Sequence, residues 1–280
     1  MLTSNSFSSN DVDRPLPGVD LRWPASAIWR PGEPEIQIIG ISDLKDALAK
    51  GVDDFMAMPS HAIFITIIYP LIGLLLFGLA LGSNFLPLVY PMVAGFTLIG
   101  PVAAVGLYEL SRRREQGQEV WAWNAFDILR SPSIGSILRL GLVLVALFFV
   151  WLVVARSIYA QYFGGVVFST AADFVHDVFT TPAGTKLILV GNGVGLLFAV
   201  VALTISVVSF PMLADRNAGT AIAIRASIRS VIENPVTMAV WGLIVFSALL
   251  IGSLPFFVGL AVVLPVLGHA TWHLYRKVVV

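Results

Sequence analysis

Two histidines near the C-terminus have the residue type and the spacing that could do chemistry. His269 and His273 lie four residues apart in the segment GHATWHLY, so a helix would carry both on one face. Imidazole nitrogens at this spacing can bind one metal ion, and His61 and Glu109, at the ends of two apolar segments, could add ligands. The same four residues also fit interfacial polar groups that hydrogen-bond loop backbone or lipid headgroups. The sequence therefore leaves a metal site open, while we expect no cofactor.

Haem binding and covalent catalysis have less support from these residues. The two ligands of a bis-histidine haem come from opposite faces of the ring, whereas a spacing of four residues puts both imidazoles on one side. The chain contains no cysteine, which excludes thiolate metal sites and a cysteine nucleophile. No Ser-His-Asp set and no phosphate-binding loop can be recognised in the sequence. We therefore expect no catalytic residues.

The composition of the chain is that of a membrane protein. Of its 280 residues, 57% are apolar and only 12% are charged, about half of the roughly 25% that is usual for soluble domains. The formal net charge is zero, so no basic field predicts binding to nucleic acid. These values exclude a soluble enzyme and a disordered chain, and they make the lipid bilayer the first expected partner.

Charge-free apolar runs predict an all-α, polytopic transmembrane helix bundle of about six spans. A helix needs roughly 20 apolar residues to cross the hydrocarbon core of a bilayer. The last run is too long for one span and is predicted to form a hairpin that breaks at Gly252 and Ser253. The runs cover residues 62–82, 85–108, 140–155, 187–213 and 236–272.

The basic residues orient these spans. In a six-span arrangement, all but two of the 17 lysines and arginines fall on one side, and the exceptions are Arg156 and Lys186. The positive-inside rule places the basic side, with both termini, in the cytoplasm. Residues 1–35 are rich in Ser, Asn, Asp and Pro and predict a disordered cytoplasmic tail, followed by a membrane domain over residues 36–280.

Two groups of residues could contact lipid or a partner protein. Trp23 and Trp29 lie in the polar tail, and indole rings favour the membrane interface or a docking site. Arg112, Arg113 and Arg114 directly follow the second predicted span. A basic cluster at that position binds anionic headgroups or an acidic partner.

The chain contains signs of an internal repeat. Short amphipathic segments at residues 42–56, 121–130 and 219–233 each end near a proline and precede a predicted hairpin. Residues 101–113, PVAAVGLYELSRR, align with residues 265–277, PVLGHATWHLYRK. We therefore predict three units in one orientation, each an amphipathic helix followed by a transmembrane hairpin.

The first amphipathic segment has a predicted apolar face. At helical spacing, Leu44, Leu48, Val52 and Phe55 lie on one side. The acidic residues of the segment, Asp54 among them, are predicted to lie largely on the other sides.

Four segments of the chain resemble a bacterial family of uncharacterised integral membrane proteins. They read AKGVDDFMAMP, GPVAAVGLYELSRRREQG, FPMLADRNAGTAIAIRASIRSVIENP and VLPVLGHATWHLYRKVV, and the resemblance covers roughly residues 36–280. The members are mainly proteobacterial, and some carry the label of a cytochrome c oxidase subunit. The resemblance implies a location in the bacterial inner membrane, and it brings no known catalytic residues to this chain.

The favoured function is that of a non-catalytic accessory or assembly factor of a larger membrane protein complex, with the resemblance suggesting a respiratory complex. Two alternatives stay open. A transporter or channel for a neutral or lipid-like solute would use a seam between the three units, lined by Asn192, Thr204 or Tyr69. A metal- or haem-binding redox protein would use His269, His273, His61 and Glu109.

Overall fold

The computed structural model describes most of the chain from residue 34 onward. The described residues are 34–59, 88–96, 98, 100–164, 170–255 and 257–280, with isolated positions at 67, 71, 74, 75, 78, 166 and 168. Every regular element among them is helical, and the antiparallel bridge between Ile36 and Val279 is the one β-type contact found there. Trp23 and Trp29 of the tail, and most of the predicted first span, lie outside the described residues.

From α2 onward, links of one to seven residues connect successive helices. The helices are α1 (Ile41–Ala57), α2 (Val89–Phe96), α3 (Gly100–Glu115), the 3-10 helix η1 (Ala122–Arg130), α4 (Ile134–Phe163), α5 (Ala171–Thr180), α6 (Pro182–Ser206), α7 (Ser209–Asp215), α8 (Thr220–Glu233), α9 (Pro235–Ser253) and α10 (Leu260–Val278).

Local sequence signals fix where several helices begin. Helices α6 and α9 start at Pro182 and Pro235, whose fixed φ suits the first turn of a helix and whose missing N–H is not needed there. Helix α1 starts directly after Gly40, and the side chain of Asp43 accepts a hydrogen bond from the Gly40 N–H at 2.9 Å. The carboxylate near this helix start also matches the positive end of the helix dipole.

Four helical stretches are long and apolar enough to cross a membrane, and they coincide with the predicted second to fifth spans. The predicted first span lies mostly outside the described residues, and α10, which includes much of the predicted sixth span, is not among the four. The structure therefore shows several apolar helices of membrane-spanning length, and the count of six stays a prediction. The four stretches are Val89–Glu115, Ile134–Phe163, Pro182–Asp215 and Pro235–Ser253.

Long apolar helices expose large hydrophobic side chains on their outer sides. On α4, Leu138, Leu142, Phe149 and Val153 are all exposed. A soluble protein rarely exposes an apolar stripe along a helix of 30 residues, whereas lipid tails solvate such a stripe well. This surface of α4 is therefore the lipid-facing surface of the protein.

Three helix ends pack together in the core. Helices α3, α7 and α10 each contact the other two. Around them, α1 packs against α10, η1 packs against α3, and α8 packs against α6 and α7. The outer helices also touch long apolar helices: α1 touches α9, η1 touches α4, and α8 touches both α4 and α9. Large fully buried side chains line these contacts, among them Phe210, Trp241, Trp272 and Tyr275.

Helices α1 and α10 approach each other closely at Gly51. A Cβ atom built on Gly51 would lie 2.6 Å from the Cβ and 2.6 Å from the backbone nitrogen of Ala270. These distances are far below van der Waals contact, so only glycine lets the two backbones come this close. The fit at Gly51 sets the distance at which side chains of α1 meet those of α10.

We expect Gly51→Ala to lower the free energy of unfolding by about 1–3 kcal/mol, because the added methyl group forces the two helices apart. Gly135→Ala is the matched control, since nothing lies within 4 Å of a Cβ atom there. Thermal unfolding in one detergent should show a lower Tm for Gly51→Ala and an unchanged or higher Tm for Gly135→Ala. Equal Tm values for Gly51→Ala and the wild type would mean that α1 does not pack on α10 at this position.

Candidate functional site

A group of polar side chains around the buried carboxylate of Asp54 joins three helices at the end of the bundle that carries α1. The polar cluster consists of Asp54 from α1, Ser111 and Arg114 from α3, and His269 and His273 from α10. Ser111 Oγ donates to Asp54 Oδ2 at 2.6 Å, and His273 Nε2 lies 2.9 Å from the same oxygen. The guanidinium of Arg114 binds the other oxygen, Oδ1. One carboxylate therefore links α1 to α3 and α10.

His269 extends this network into the interior. Its Nδ1 lies 2.7 Å from Ser111 Oγ and 3.9 Å from Asp54 Oδ2. Because the hydroxyl hydrogen of Ser111 goes to Asp54, the Ser111 oxygen accepts a hydrogen bond from the Nδ1–H of His269. Nδ1 therefore carries a hydrogen, and Nε2 is buried with no hydrogen-bond partner among the described residues.

Asp54 is the anionic centre of the polar cluster. Burial alone would raise the pKa of its carboxyl group, but hydrogen bonds from His273, Ser111 and Arg114 more than offset this and lower the pKa to about 2. The carboxyl group is therefore ionised at neutral pH. A buried charge of this kind is tolerated only with such partners, since an unpaired one would favour unfolding.

The buried face of α1 differs from the predicted one. Asp54 is buried, whereas Val52, predicted on the apolar face, is exposed. The buried positions Leu44, Ala47 and Gly51 lead to Asp54 in steps of three or four residues, which is the helical period. The partners of Asp54 on α3 and α10 explain why a carboxylate occupies this buried position. These partners come from distant parts of the sequence.

Glu109, predicted as a metal ligand beside the histidines, is paired with two arginines. Its carboxylate accepts hydrogen bonds from Arg112 Nε and Nη2 at 2.8 Å each and from Arg113 Nε at 2.9 Å. Arg113 also donates to Asp127 at 2.8 Å. The three arginines predicted to meet lipid or a partner therefore all have acidic neighbours within the protein, and external contacts of theirs stay a prediction.

The structure describes three of the four residues of the predicted metal site. His269 and His273 both face Asp54, as their spacing predicts for one helix face, while His61 lies outside the described residues. Among the residues that are described, no three His, Cys, Asp or Glu side chains are arranged to hold a metal ion. Metal or haem binding stays a prediction.

The polar cluster includes a serine, a histidine and an aspartate that sequence reasoning did not connect. In a hydrolytic triad, serine donates to histidine and histidine donates to aspartate. Here Ser111 donates to Asp54 and is fully buried, so its oxygen is neither activated nor accessible. The contacts position the helices, and they do not form a nucleophile. One sequence signal could have located Asp54, because it continues the helical period of Leu44, Ala47 and Gly51.

A second polar group connects the ends of α3, α7 and α10. The helix-end junction consists of Glu115, Asp215, Trp272, Tyr275 and Arg276. Tyr275 donates to Asp215 at 2.6 Å, and Trp272 donates through Nε1 to Glu115 at 3.1 Å. Arg276 lies between the two carboxylates, 3.3 Å from Glu115 and 3.6 Å from Asp215. All three helix ends are therefore held in one polar network.

Asn192 and Thr204, the residues proposed to line a transport seam, have local partners. Asn192 Oδ1 accepts a hydrogen bond from the exposed Tyr90 hydroxyl at 2.6 Å, and the Thr204 carbonyl accepts one from Ser227 at 2.7 Å. Tyr69 lies outside the described residues. Two open grooves of about 410 and 400 Å³ lie on the described surface, and neither is lined by Asn192 or Thr204.

Comparisons with known proteins point to a membrane protein. Residues 89–215 match the model of a family described as "Predicted integral membrane protein (DUF2189)". The match covers just under half of the chain and includes Ser111 and Arg114, but neither Asp54 nor the two histidines of the polar cluster. No curated protein and no solved structure matches the sequence at a significant level. The family description and the apolar helices agree on an integral membrane protein and give it no activity.

We expect Asp54→Asn to lower the free energy of unfolding by about 2–3 kcal/mol, because Arg114 and His273 lose their anionic partner inside the protein. Asp53→Asn removes the same charge from the neighbouring exposed position and should change stability by less than about 0.5 kcal/mol. Chemical unfolding of both variants in one detergent measures the difference. Equal effects would show that the position of the charge, and hence the polar cluster, does not matter for stability.

The low pKa of Asp54 predicts how stability depends on pH. A carboxyl group with a pKa of about 2 in the folded protein and a model value of 3.8 stabilises the fold above pH 3.8. This contribution is lost as the pH falls through 3.8 toward 2, because the unfolded chain then takes up the proton first. The stability difference between wild type and Asp54→Asn should therefore be constant near neutral pH and shrink on acidification. A difference that grows toward low pH would contradict the assignment.

Proposed function

We propose that the protein is a six-span protein of the bacterial inner membrane, with both termini in the cytoplasm, that acts as a non-catalytic accessory or assembly factor of a larger membrane complex, such as a respiratory complex. In this proposal the outer helices α1, η1 and α8, together with the ends of α3, α7 and α10, form a cytoplasmic platform. The lipid-facing helices anchor the platform in the bilayer.

The packing of the outer helices supports three equivalent units. If each unit is an outer helix followed by a hairpin, the first hairpin ends with α3 and the second with α6 and α7. Helix η1 packs on α3, and α8 packs on α6 and α7. Helix α1, from the first unit, packs on α10, which ends the third hairpin. The contacts therefore close in a ring, as expected for three repeats that share one orientation.

One observation carries the proposed docking function: α1 is held firmly on its inner side and exposes apolar side chains on its outer side. The inner side is fixed by Asp54 and by Lys277, which lies 3.1 Å from Asp43 and 2.9 Å from Asp46. On the outer side, Val52 is exposed and Met56 is 68% exposed. A rigid helix with exposed apolar side chains binds a partner at low entropic cost.

The charges beside these apolar residues have both signs. Lys45 is exposed on the same face as Val52 and Met56, seven and eleven residues before them, and Asp53 is exposed next to Val52. A protein partner can match an acidic group with a basic one and a basic group with an acidic one. The outer side of α1 is therefore proposed as the contact with a subunit of the complex.

We expect Met56→Lys to weaken co-purification with the partner complex about tenfold, because burial of a methionine contributes on the order of 1.5–3 kcal/mol. Ala57→Lys adds the same charge at the neighbouring exposed position, which points about 100° away around the helix, and should have little effect. Both variants are compared in cells that lack the wild-type protein, with native gels reporting the amount of each assembled membrane complex.

The variants must first be shown to insert and to melt like the wild type, so that a loss of binding is not a loss of folding. Photo-crosslinking from position 56 in intact membranes then identifies the contacting subunit. A protein that migrates alone, in cells whose membrane complexes assemble normally without it, would refute the accessory function.

A further inference from the structure

The 3-10 helix η1 carries an exposed row of large apolar side chains. With three residues per turn, side chains three positions apart line up along a 3-10 helix. One row contains Ala125 and Ile128, which are buried. A second row contains Trp123, Phe126 and Leu129, which are 63%, 53% and 61% exposed. Together with exposed Trp121, the residues Trp123, Phe126 and Leu129 form the aromatic edge of η1.

The aromatic edge is held in place by contacts on its inner side. Ala125 packs against α3, where a Cβ atom on Gly106 would lie 3.1 Å from the Ala125 Cβ. Asn124 accepts a hydrogen bond from the Trp121 N–H at 2.8 Å and donates to Asp127 at 2.9 Å. Asp127 in turn binds Arg113 of α3. The row of large apolar side chains therefore cannot turn inward without breaking these contacts.

The two indoles at the start of η1 stack on each other. The rings of Trp121 and Trp123 are nearly parallel, with an interplanar angle of 3° and centroids 5.1 Å apart. Stacking holds the two rings together as one rigid block at the end of the row. Flat amphipathic rings of this kind are enriched at membrane–water interfaces.

The chain on both sides places η1 at the membrane surface. The candidate span before it ends at Glu115, and the candidate span after it begins at Ile134. Only residues 116–120 and 131–133 connect these spans to the segment from Trp121 to Arg130. The aromatic edge is also close in sequence to the lipid-facing surface of α4, which begins with exposed Leu138.

The charge at the end of the edge fits anionic lipid. Arg130 follows Leu129 directly; its side chain is 89% exposed, and its guanidinium lies 3.8 Å from Asp127 Oδ1. The other oxygen of Asp127 is bound more closely by Arg113 and Asn124, which offsets the repulsion of phosphate groups by this carboxylate. A guanidinium beside a row of apolar rings matches the boundary where lipid phosphates meet acyl chains.

We infer that the aromatic edge of η1 inserts into the boundary between headgroups and acyl chains of the adjacent leaflet, with Arg130 bound to anionic phospholipid phosphate. This contact is separate from the docking surface proposed on α1. It anchors η1, and through Ala125 and Asp127 it anchors the end of α3, at a fixed depth in the membrane.

The absence of cysteine from the sequence allows a direct test in the full-length protein. Phe126→Cys and Leu129→Cys are each labelled with a polarity-sensitive fluorophore and reconstituted into phosphatidylcholine vesicles with or without phosphatidylglycerol. Glu119→Cys, which is exposed but outside the edge, is the matched control. Each labelled protein must melt like the unlabelled wild type. Phosphatidylcholine lipids spin-labelled near the start of the acyl chain serve as the quencher.

We expect blue-shifted emission and about threefold stronger quenching at positions 126 and 129 than at position 119, because only the edge reaches the acyl boundary. Phosphatidylglycerol should strengthen the quenching, and Arg130→Gln should remove this dependence while leaving the quenching in pure phosphatidylcholine. Edge labels that are quenched no more than the control would overturn the inference. The inference would also be overturned if the edge labels were shielded from water in native membranes but not in lipid vesicles, because a protein partner would then cover the edge.

Discussion

The pairing of one buried carboxylate constrains much of this fold. Asp54 can stay ionised inside the protein only while Ser111, Arg114 and His273 donate to it. These donors belong to α3 and α10, so any other position of α1 that buries Asp54 leaves its charge unpaired. Gly51 makes the arrangement possible, because it lets α1 approach the backbone of α10. The charge of Asp54 thus determines which helices α1 contacts, and Gly51 leaves room for the close approach to α10.

In the described structure, paired polar residues lie at the helix ends, and apolar residues cover the helix shafts. At the helix-end junction, Arg276 lies between Glu115 and Asp215, and the ends of α3, α7 and α10 are fixed by charge. Farther along, α4 exposes Leu142 and Val153, for which lipid is a good solvent. Helices in lipid gain little from the hydrophobic effect when they associate, so polar pairing at their ends supplies specificity that apolar contacts lack.

Sequence patterns predicted the class of fold and part of the polar cluster, for reasons that the structure makes clear. Long apolar runs identify helices without any knowledge of neighbours, and the four-residue spacing of His269 and His273 requires only helical geometry. The burial of Asp54 and the exposure of Val52 were missed, because a periodicity argument uses only the hydrophobicity of the segment itself. The partners of Asp54 lie on helices that are distant in the sequence. Helix α4 also extends past the predicted limits at Arg139 and Arg156, since long basic side chains can reach the interface from a continuing helix.

The two outward apolar surfaces proposed for the platform differ in charge. On α1, Lys45 and Asp53 are both exposed, whereas on η1 exposed Arg130 follows Leu129. If the platform faces an anionic leaflet, as proposed, the leaflet attracts the η1 surface more than the α1 surface. With η1 held by lipid, α1 would be left available to a protein, since η1 packs on α3, α1 packs on α10, and α3 and α10 contact each other. Lipid contact on one side would thereby fix the height at which a partner meets Met56 on the other.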